Sequence, residues 1–114
     1  MSLDTICSAL KKLQGKTLIL THHNADVDAA ASAIALHLLL KQLNIDSKIG
    51  VAESVSKPAQ AISKPYKFII NPDCKNFKNV ILVDTSVPEQ LKPVKNLHAE
   101  LVIDHHPPGK LAKQ

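Results

Sequence analysis

Short aliphatic segments recur along the chain and constrain its fold more than any other feature. The clearest are residues 17–21 and 79–83, whose central positions are all Leu, Ile or Val. A strand that is apolar on both faces is buried on both faces, which is typical of parallel sheets covered by helices. A stretch rich in Ala and Leu, with a helix predicted over residues 29–43, follows the first of these strands. This alternation predicts a doubly wound α/β domain with helices on both faces.

The predicted sheet is mainly parallel and has about five strands. Besides the two above, strands are expected at residues 47–51, 67–70 and 100–103, and short helices at 59–63 and 88–91. Asp28 is expected to be the N-cap or a first-turn acid of the long helix, and Asn44 to end that helix in a left-handed conformation. His37 lies in the apolar helix, where we expect a partly buried ring with a hydrogen-bond partner.

Composition places the chain among ordinary globular proteins. It has 114 residues, 45% of them hydrophobic and 21% charged, which suits one domain with a mainly aliphatic core. The net charge of +4 is compatible with an anionic substrate, and equally with a lysine-rich surface. The scarcity of aromatic residues argues against a protein dedicated to binding single-stranded nucleic acid.

The two cysteines and the apolar stretches predict the cellular location. Cys7 and Cys74 are far apart and show no metal-binding spacing, so we expect reduced thiols in or near the core. No signal-peptide pattern is evident at the N-terminus, and the longest apolar stretch is too short to span a bilayer. These features predict a cytoplasmic protein with no membrane association.

Three of the predicted strands are followed directly by polar clusters. Residues 22–28 follow the first strand, Asp84 follows the strand at 79–83, and Asp104-His105-His106 follows the last strand. In parallel α/β sheets, ligands bind beyond the carboxyl ends of the strands. Carboxylates brought together there repel one another unless a cation neutralises them, and mixed imidazole and carboxylate donors suit Mn²⁺, Fe²⁺ or Zn²⁺. The alternative is a set of solvated residues at loop ends.

The chemistry that such a site favours is phosphoester hydrolysis. A pair of metal ions polarises a phosphoryl oxygen and activates water as the nucleophile. Other motifs for phosphate or ester chemistry are absent from the sequence. It has no glycine-rich phosphate loop, since its glycines are Gly15, Gly50 and Gly109, and it has no HExxH or GxSxG pattern.

On these residues the chain resembles the N-terminal domain of the DHH phosphoesterases. That family includes RecJ-like exonucleases, oligoribonucleases, cyclic-dinucleotide phosphodiesterases and manganese-dependent family II pyrophosphatases. Its first motif, roughly H-x-N-P-D-x-D-A-x-G-S-A, is similar to residues 22–33, with Ala25 in place of the usual proline. The second and third motifs match Asp84-Thr85-Ser86 and Asp104-His105-His106, so the resemblance extends from Lys16 to Gly109.

The resemblance implies a two-metal centre with five protein ligands: His22, Asp26, Asp28, Asp84 and His105. His22 and Asp26 would bind one metal, Asp28 and His105 the other, and Asp84 would bridge them. Mn²⁺ is the expected cofactor, with Mg²⁺ or Co²⁺ as alternatives.

Three further residues take roles that the resemblance implies for catalysis. His106 would face the substrate phosphate, where a protonated ring stabilises developing negative charge. Asp104 would orient a neighbouring group. Asn24 would hold the loop or contact phosphate.

The expected activity is metal-dependent hydrolysis of phosphodiester bonds in short oligonucleotides or cyclic and linear dinucleotides. A non-catalytic DHH interaction module and a manganese-dependent pyrophosphatase are the alternatives. Family members carry a fourth, Asp-containing motif and a substrate-binding domain after the DHH tripeptide, whereas residues 107–114 contain no acid. We therefore expect residues 1–114 to form a single N-terminal domain, a fragment that is inactive or weakly active alone. Its expected partners are the substrate, the C-terminal domain and a second copy of the chain.

Overall fold

Strands and helices alternate along the chain, as the apolar segments predict. The computed structural model describes residues 3–84 and 91–103. The helices are α1 (Leu3–Lys11), α2 (Val27–Gln42) and α3 (Lys57–Ser63), with short 3-10 turns at Lys64–Tyr66 and Cys74–Asn76. The strands are β1 (Thr17–Thr21), β2 (Ser47–Val51), β3 (Ile69–Ile70), β4 (Asn79–Val83) and β5 (Leu101–Ile103).

The sheet contains five strands, all parallel, in the order β3-β2-β1-β4-β5. The chain adds strands to one side of β1 as far as β3, and then crosses over to place β4 on the other side. Leu20 of β1 pairs with Gly50 on one side and with Leu82 on the other. The direction of winding thus reverses between β1 and β4, and in such sheets ligands bind at this reversal. The predicted α/β fold is confirmed.

The two central strands are buried along their whole length, so each contributes to a core on both faces. One face packs against α1 and α2 through an aliphatic cluster that includes Leu10, Ile19, Leu36, Leu40 and Ile81. The opposite face packs against the turn at Cys74 and the segment after residue 90, through a cluster that includes Leu20, Cys74, Leu82, Leu91 and Val94. The aliphatic core and the free state of both cysteines agree with the sequence predictions.

Several element boundaries differ from those predicted. Helix α2 begins at Val27 rather than at residue 29, because the extended Asp26 is its N-cap. Strand β3 is limited to Ile69–Ile70, because Lys67 has a left-handed backbone with a φ of 51°. Strand β5 begins at Leu101 rather than at residue 100, and helix α1 was not predicted. The short helix expected at 88–91 falls mostly on residues outside the described part of the chain.

His37 behaves as its place in the apolar helix predicts. Its ring is half-buried, and Nδ1 lies 2.7 Å from the Ser47 hydroxyl. Desolvation, reinforced by the charges of Lys41 and Lys48, lowers the pKa of this ring. His37 is therefore a satisfied structural residue at the end of the sheet where β2 begins. Within the described residues, no helix has the length and hydropathy that a membrane crossing requires.

A hydrogen-bonded clasp made by His98 and Glu100 fixes the start of β5 to its neighbours. His98 Nδ1 lies 2.9 Å from a Glu100 carboxylate oxygen, and Nε2 lies 3.1 Å from the Cys74 carbonyl. The other Glu100 oxygen accepts a 2.7 Å hydrogen bond from the backbone N–H of Val80 in β4. Because a carbonyl and a carboxylate can only accept, both ring nitrogens must donate, which requires a protonated His98.

The clasp predicts a stability that falls as the pH rises. Desolvation lowers the pKa of His98, but its hydrogen bonds to Cys74 and Glu100 outweigh this and raise the pKa above 6.5. A raised folded-state pKa gives stability that is fully present below the unfolded pKa and is lost as the pH rises through the folded value. Urea unfolding in EDTA should therefore show the advantage of the wild type over His98→Gln at pH 5.5 and little advantage at pH 9.

The matched control for this prediction is His23→Gln, which removes an exposed ring with no place in the clasp. An advantage over His98→Gln that is the same at both pH values would show that the clasp does not depend on the charge of His98.

Candidate metal centre

Three side chains with metal-binding donors meet where the winding of the sheet reverses. His22 and Asp26 lie in the loop after β1, and Asp84 lies directly after β4. One donor atom from each residue can be chosen so that all three lie within 4.8 Å of one another. Because β1 and β4 are adjacent and parallel, their carboxyl ends bring the two loops to one point. The topology itself therefore creates the cluster.

The His22 ring is held with one nitrogen available for a metal. Its Nδ1 lies 2.8 Å from the carbonyl oxygen of His23. A carbonyl can only accept, so Nδ1 carries the hydrogen and donates it, which leaves a lone pair on Nε2 in the neutral ring. A backbone hydrogen bond of this kind is what fixes the tautomer of a metal-binding histidine. His22 is thus in the correct tautomer for coordination through Nε2.

The Asp26 carboxylate is positioned by the start of helix α2. Asp26 is the N-cap, and its Oδ1 accepts a 2.8 Å hydrogen bond from the backbone N–H of Ala29. This bond fixes the orientation of the carboxylate while its second oxygen can still bind a cation. The N–H of the preceding residue, Ala25, donates to the Ser54 carbonyl, and the Ala25 carbonyl accepts from the Ser56 N–H. The loop that carries His22 and Asp26, called the metal loop below, is therefore anchored to the loop after β2.

Asp84 is the most buried of the three side chains, with 2% of its surface exposed. Its backbone is left-handed, with a φ of 60°, and its N–H donates a 2.8 Å hydrogen bond to the Ile103 carbonyl at the end of β5. Asp tolerates this conformation better than most residues. A carboxylate this buried needs its charge compensated, and a second carboxylate, that of Asp26, lies in the same cluster.

A divalent cation fits the donor set that the described residues provide. One imidazole nitrogen and two carboxylates are the mixture that Mn²⁺, Fe²⁺ and Zn²⁺ accept, and a bound cation would remove the repulsion between the carboxylates. His22, Asp26 and Asp84 would hold it. Three protein donors leave coordination positions for a substrate oxygen, water or further residues.

The other residues predicted for the site do not belong to this cluster of three or lie outside the described residues. Asp28 is exposed in the first turn of α2 and does not belong to the cluster of three, so its role as a ligand stays a prediction. Asn24 is exposed in the loop and has a left-handed backbone with a φ of 50°, and its role stays a prediction. Asp104, His105 and His106 lie outside the described residues. The strand before them in the sequence, β5, pairs in parallel with β4.

The contact between the metal loop and the loop after β2 was not predicted from the sequence. Ala25 and Val55 form an isolated parallel bridge between two loops that lie about thirty residues apart in the sequence. Residue 55 carries no motif that could have predicted this contact. The nearby helix signal was present, because Ser56 caps α3 and Pro58 lies in its first turn.

Comparison with known proteins shows the family to which the chain belongs. The model of the DHH family, N-terminal domain, matches residues 16–114, and the chain belongs to this family. The uncharacterized protein MJ0988 of Methanocaldococcus jannaschii is 37% identical over 103 residues, covering 85% of this chain and 31% of that protein. The uncharacterized protein MJ1633 of the same organism is 30% identical over 109 residues, covering 88% of this chain and 23% of that protein.

The family membership defines the class of the domain. DHH family domains are generally phosphoesterases, and the cluster of His22, Asp26 and Asp84 is consistent with the divalent-metal site of that family. The chain spans about a quarter to a third of the length of the curated relatives that it matches. The matched region begins at residue 16, so helix α1 precedes it.

Proposed function

We propose that this chain is the metal-binding part of a phosphodiesterase that hydrolyses short oligonucleotides or cyclic and linear dinucleotides. The convergence of His22, Asp26 and Asp84 at the reversal point of the sheet is the observation that supports it. A divalent cation held at this point by the three residues, with Mn²⁺ as the expected ion, would polarise a phosphoryl oxygen and lower the pKa of water. The net charge of +4 favours the approach of an anionic substrate.

The described residues have distinct tasks in this proposal. His22 binds through Nε2, because its Nδ1 hydrogen is engaged by the His23 carbonyl. Asp26 presents a carboxylate fixed by the helix cap, and the buried Asp84 would be the ligand shared by the two ions. Rigid placement of these donors before the substrate arrives lowers the cost of organising the site.

The other predicted residues complete the proposed centre. Asp28 and His105 would bind the second ion, and Asp104 would orient a neighbouring group. His106 and Asn24 would contact the scissile phosphate. A C-terminal domain like that of other DHH proteins would supply the remaining ligand and grip the substrate.

A substrate panel tests the proposed activity. The chain is incubated at high enzyme concentration with Mn²⁺ and either a linear diadenylate, a cyclic diadenylate or pyrophosphate. Chromatography then measures the released nucleotides, and a colorimetric assay measures phosphate. We expect Mn²⁺-dependent release of AMP from the linear dinucleotide, which EDTA and His22→Ala each abolish. Cleavage of pyrophosphate without cleavage of either dinucleotide would contradict the proposal, and metal binding with no hydrolysis, even by the full-length gene product, would favour a non-catalytic module.

A further inference from the structure

A cavity of about 500 Å³ opens on the same edge of the sheet as the metal centre, beyond the ends of β2 and β3. The loop after β2 forms one wall, helix α3 and the 3-10 turn after it form another, and the end of β3 closes the third side. Cavities of this size bind small organic ligands. Those predicted site residues that the structure describes do not line this cavity.

Backbone hydrogen bonds connect this cavity directly to the metal loop. Val55, in the cavity wall, forms a parallel bridge with Ala25, the residue before the metal-binding Asp26. Around that bridge, the Ala25 N–H donates to the Ser54 carbonyl at 3.0 Å, and the Ser56 N–H donates to the Ala25 carbonyl at 2.9 Å. The wall of the cavity is therefore joined to the metal loop at the residue next to Asp26.

The loop that forms the wall is also fixed on its far side. Glu53 has a left-handed backbone with a φ of 63°, and its N–H donates a 2.6 Å hydrogen bond to the Asn71 side chain just after β3. The Gln60 amide of α3 donates to the Val55 carbonyl at 3.3 Å, which places this side chain at the loop. The cavity is thus formed by hydrogen bonds within the domain before any ligand binds.

The lining chemistry suits a neutral group with polar edges and apolar faces. Glu53 and Lys64 carry opposite charges, so the lining has no excess positive charge for a second phosphate. Ser54 and Gln60 offer donors and acceptors. Ile70 lies on the edge strand β3 and is 49% exposed. Burial of such a side chain against a planar ring would contribute to binding.

We propose that this cavity binds the nucleoside part of the substrate whose phosphate lies at the metal centre. This inference rests on the proposed function and adds to it a place for the base and sugar. A nucleotide fills both the cavity and the phosphate position, whereas pyrophosphate leaves the cavity empty. The cavity therefore selects nucleotide substrates over inorganic ones.

Binding measurements with AMP, adenosine and inorganic phosphate test this assignment without requiring turnover. Amide shifts in NMR spectra report where each probe binds, and calorimetry with Mn²⁺ gives the affinities. We expect adenosine to shift the Val55 backbone and Gln60 side-chain amide signals even in EDTA, and phosphate to leave them unchanged. AMP should bind more tightly than phosphate in the presence of Mn²⁺.

A pair of exposed isoleucines provides the matched variants. Ile70→Asp places a charge in the cavity, while Ile62→Asp makes the same change on α3 outside this cavity, at a residue that is 37% exposed. We expect Ile70→Asp to weaken AMP binding about tenfold, the effect of losing one well-packed aliphatic contact. Its affinities for Mn²⁺ and phosphate should equal those of the wild type, and Ile62→Asp should match the wild type in all three.

Two outcomes would overturn the assignment. One is the absence of adenosine shifts at Val55 and Gln60 up to millimolar ligand, and the other is an equal effect of the two aspartate variants on AMP binding. Failure of the wild type to bind Mn²⁺ would instead contradict the proposed function, and the adenosine experiment in EDTA distinguishes the two.

Discussion

Replacing Asp84 by Asn should weaken Mn²⁺ binding by roughly a hundredfold or more, since loss of an outer partner of a metal ligand alone costs about 10- to 100-fold. The variant keeps the size of the side chain and removes only its charge. Asn also tolerates the left-handed backbone at this position, where φ is 60°, so the turn after β4 should persist. Isothermal calorimetry with Mn²⁺ measures the loss directly.

Thermal unfolding gives an independent measure of the same effect. A ligand that binds only the folded state stabilises it by about 2.7 kcal/mol at a concentration 100 times its dissociation constant. Mn²⁺ should therefore raise the Tm of the wild type and leave that of Asp84→Asn almost unchanged.

The control for charge removal is Asp46→Asn. Asp46 is exposed, immediately precedes β2 and so lies at the opposite edge of the sheet from the cluster. This variant should bind Mn²⁺ as the wild type does. Equal binding by Asp84→Asn and the wild type would show that the buried carboxylate is not a metal ligand.

The two central strands were predictable because each contains a short apolar run with polar neighbours. Residues 17–21 and 79–83 have the predicted bounds, since burial on both faces requires apolar side chains at consecutive central positions, and residues 47–51 also have them although Lys48 is exposed. Strand β3 is shorter than its apolar run, because the left-handed Lys67 breaks the extended backbone. Apolar character indicates burial, but it does not show where pairing with a neighbouring strand begins.

Helix α1 shows what a closer use of periodicity would have added. Leu3, Ile6 and Leu10 follow the three- and four-residue spacing of an amphipathic helix, so the signal was present in the sequence. The start of α2 was harder to place. Two acids, Asp26 and Asp28, could each have been its cap, and only the backbone conformation shows that Asp26 is the cap and Asp28 a first-turn residue.

The candidate site was predictable in its residue types and only partly in its geometry. The position of polar clusters after strands indicated one edge of the sheet, but the strand order decides which clusters meet. The order β3-β2-β1-β4-β5 makes β1 and β4 neighbours and so brings His22 and Asp26 to Asp84. The bridge between Ala25 and Val55, which links the metal loop to the neighbouring cavity, depends on contacts between loops, and no local pattern encodes them.

The largest expected loss of stability comes from Ile81→Ala at the centre of β4. Ile81 is fully buried and packs in the same cluster as Ile19, Leu36 and Leu40. Truncating such a side chain removes its transfer free energy and leaves a cavity, which together cost about 2–5 kcal/mol. Domains of this kind have a free energy of unfolding of about 5–15 kcal/mol, so the variant should lose a large part of its stability. Urea unfolding in EDTA measures the change.

Ile62→Ala is the matched control, because it removes the same atoms from a side chain that is 37% exposed. This substitution should lower the free energy of unfolding by less than about 1 kcal/mol.

Measurements with Mn²⁺ then separate the effects of the core and of the metal site. Ile81→Ala retains the three clustered ligands, so saturating Mn²⁺ should raise its Tm by about as much as that of the wild type. Asp84→Asn should show the opposite pattern, with little loss of stability in EDTA and no gain with Mn²⁺. A failure of Mn²⁺ to stabilise Ile81→Ala would mean that the cluster forms only when β4 is fully packed, and that core and metal centre are one cooperative unit.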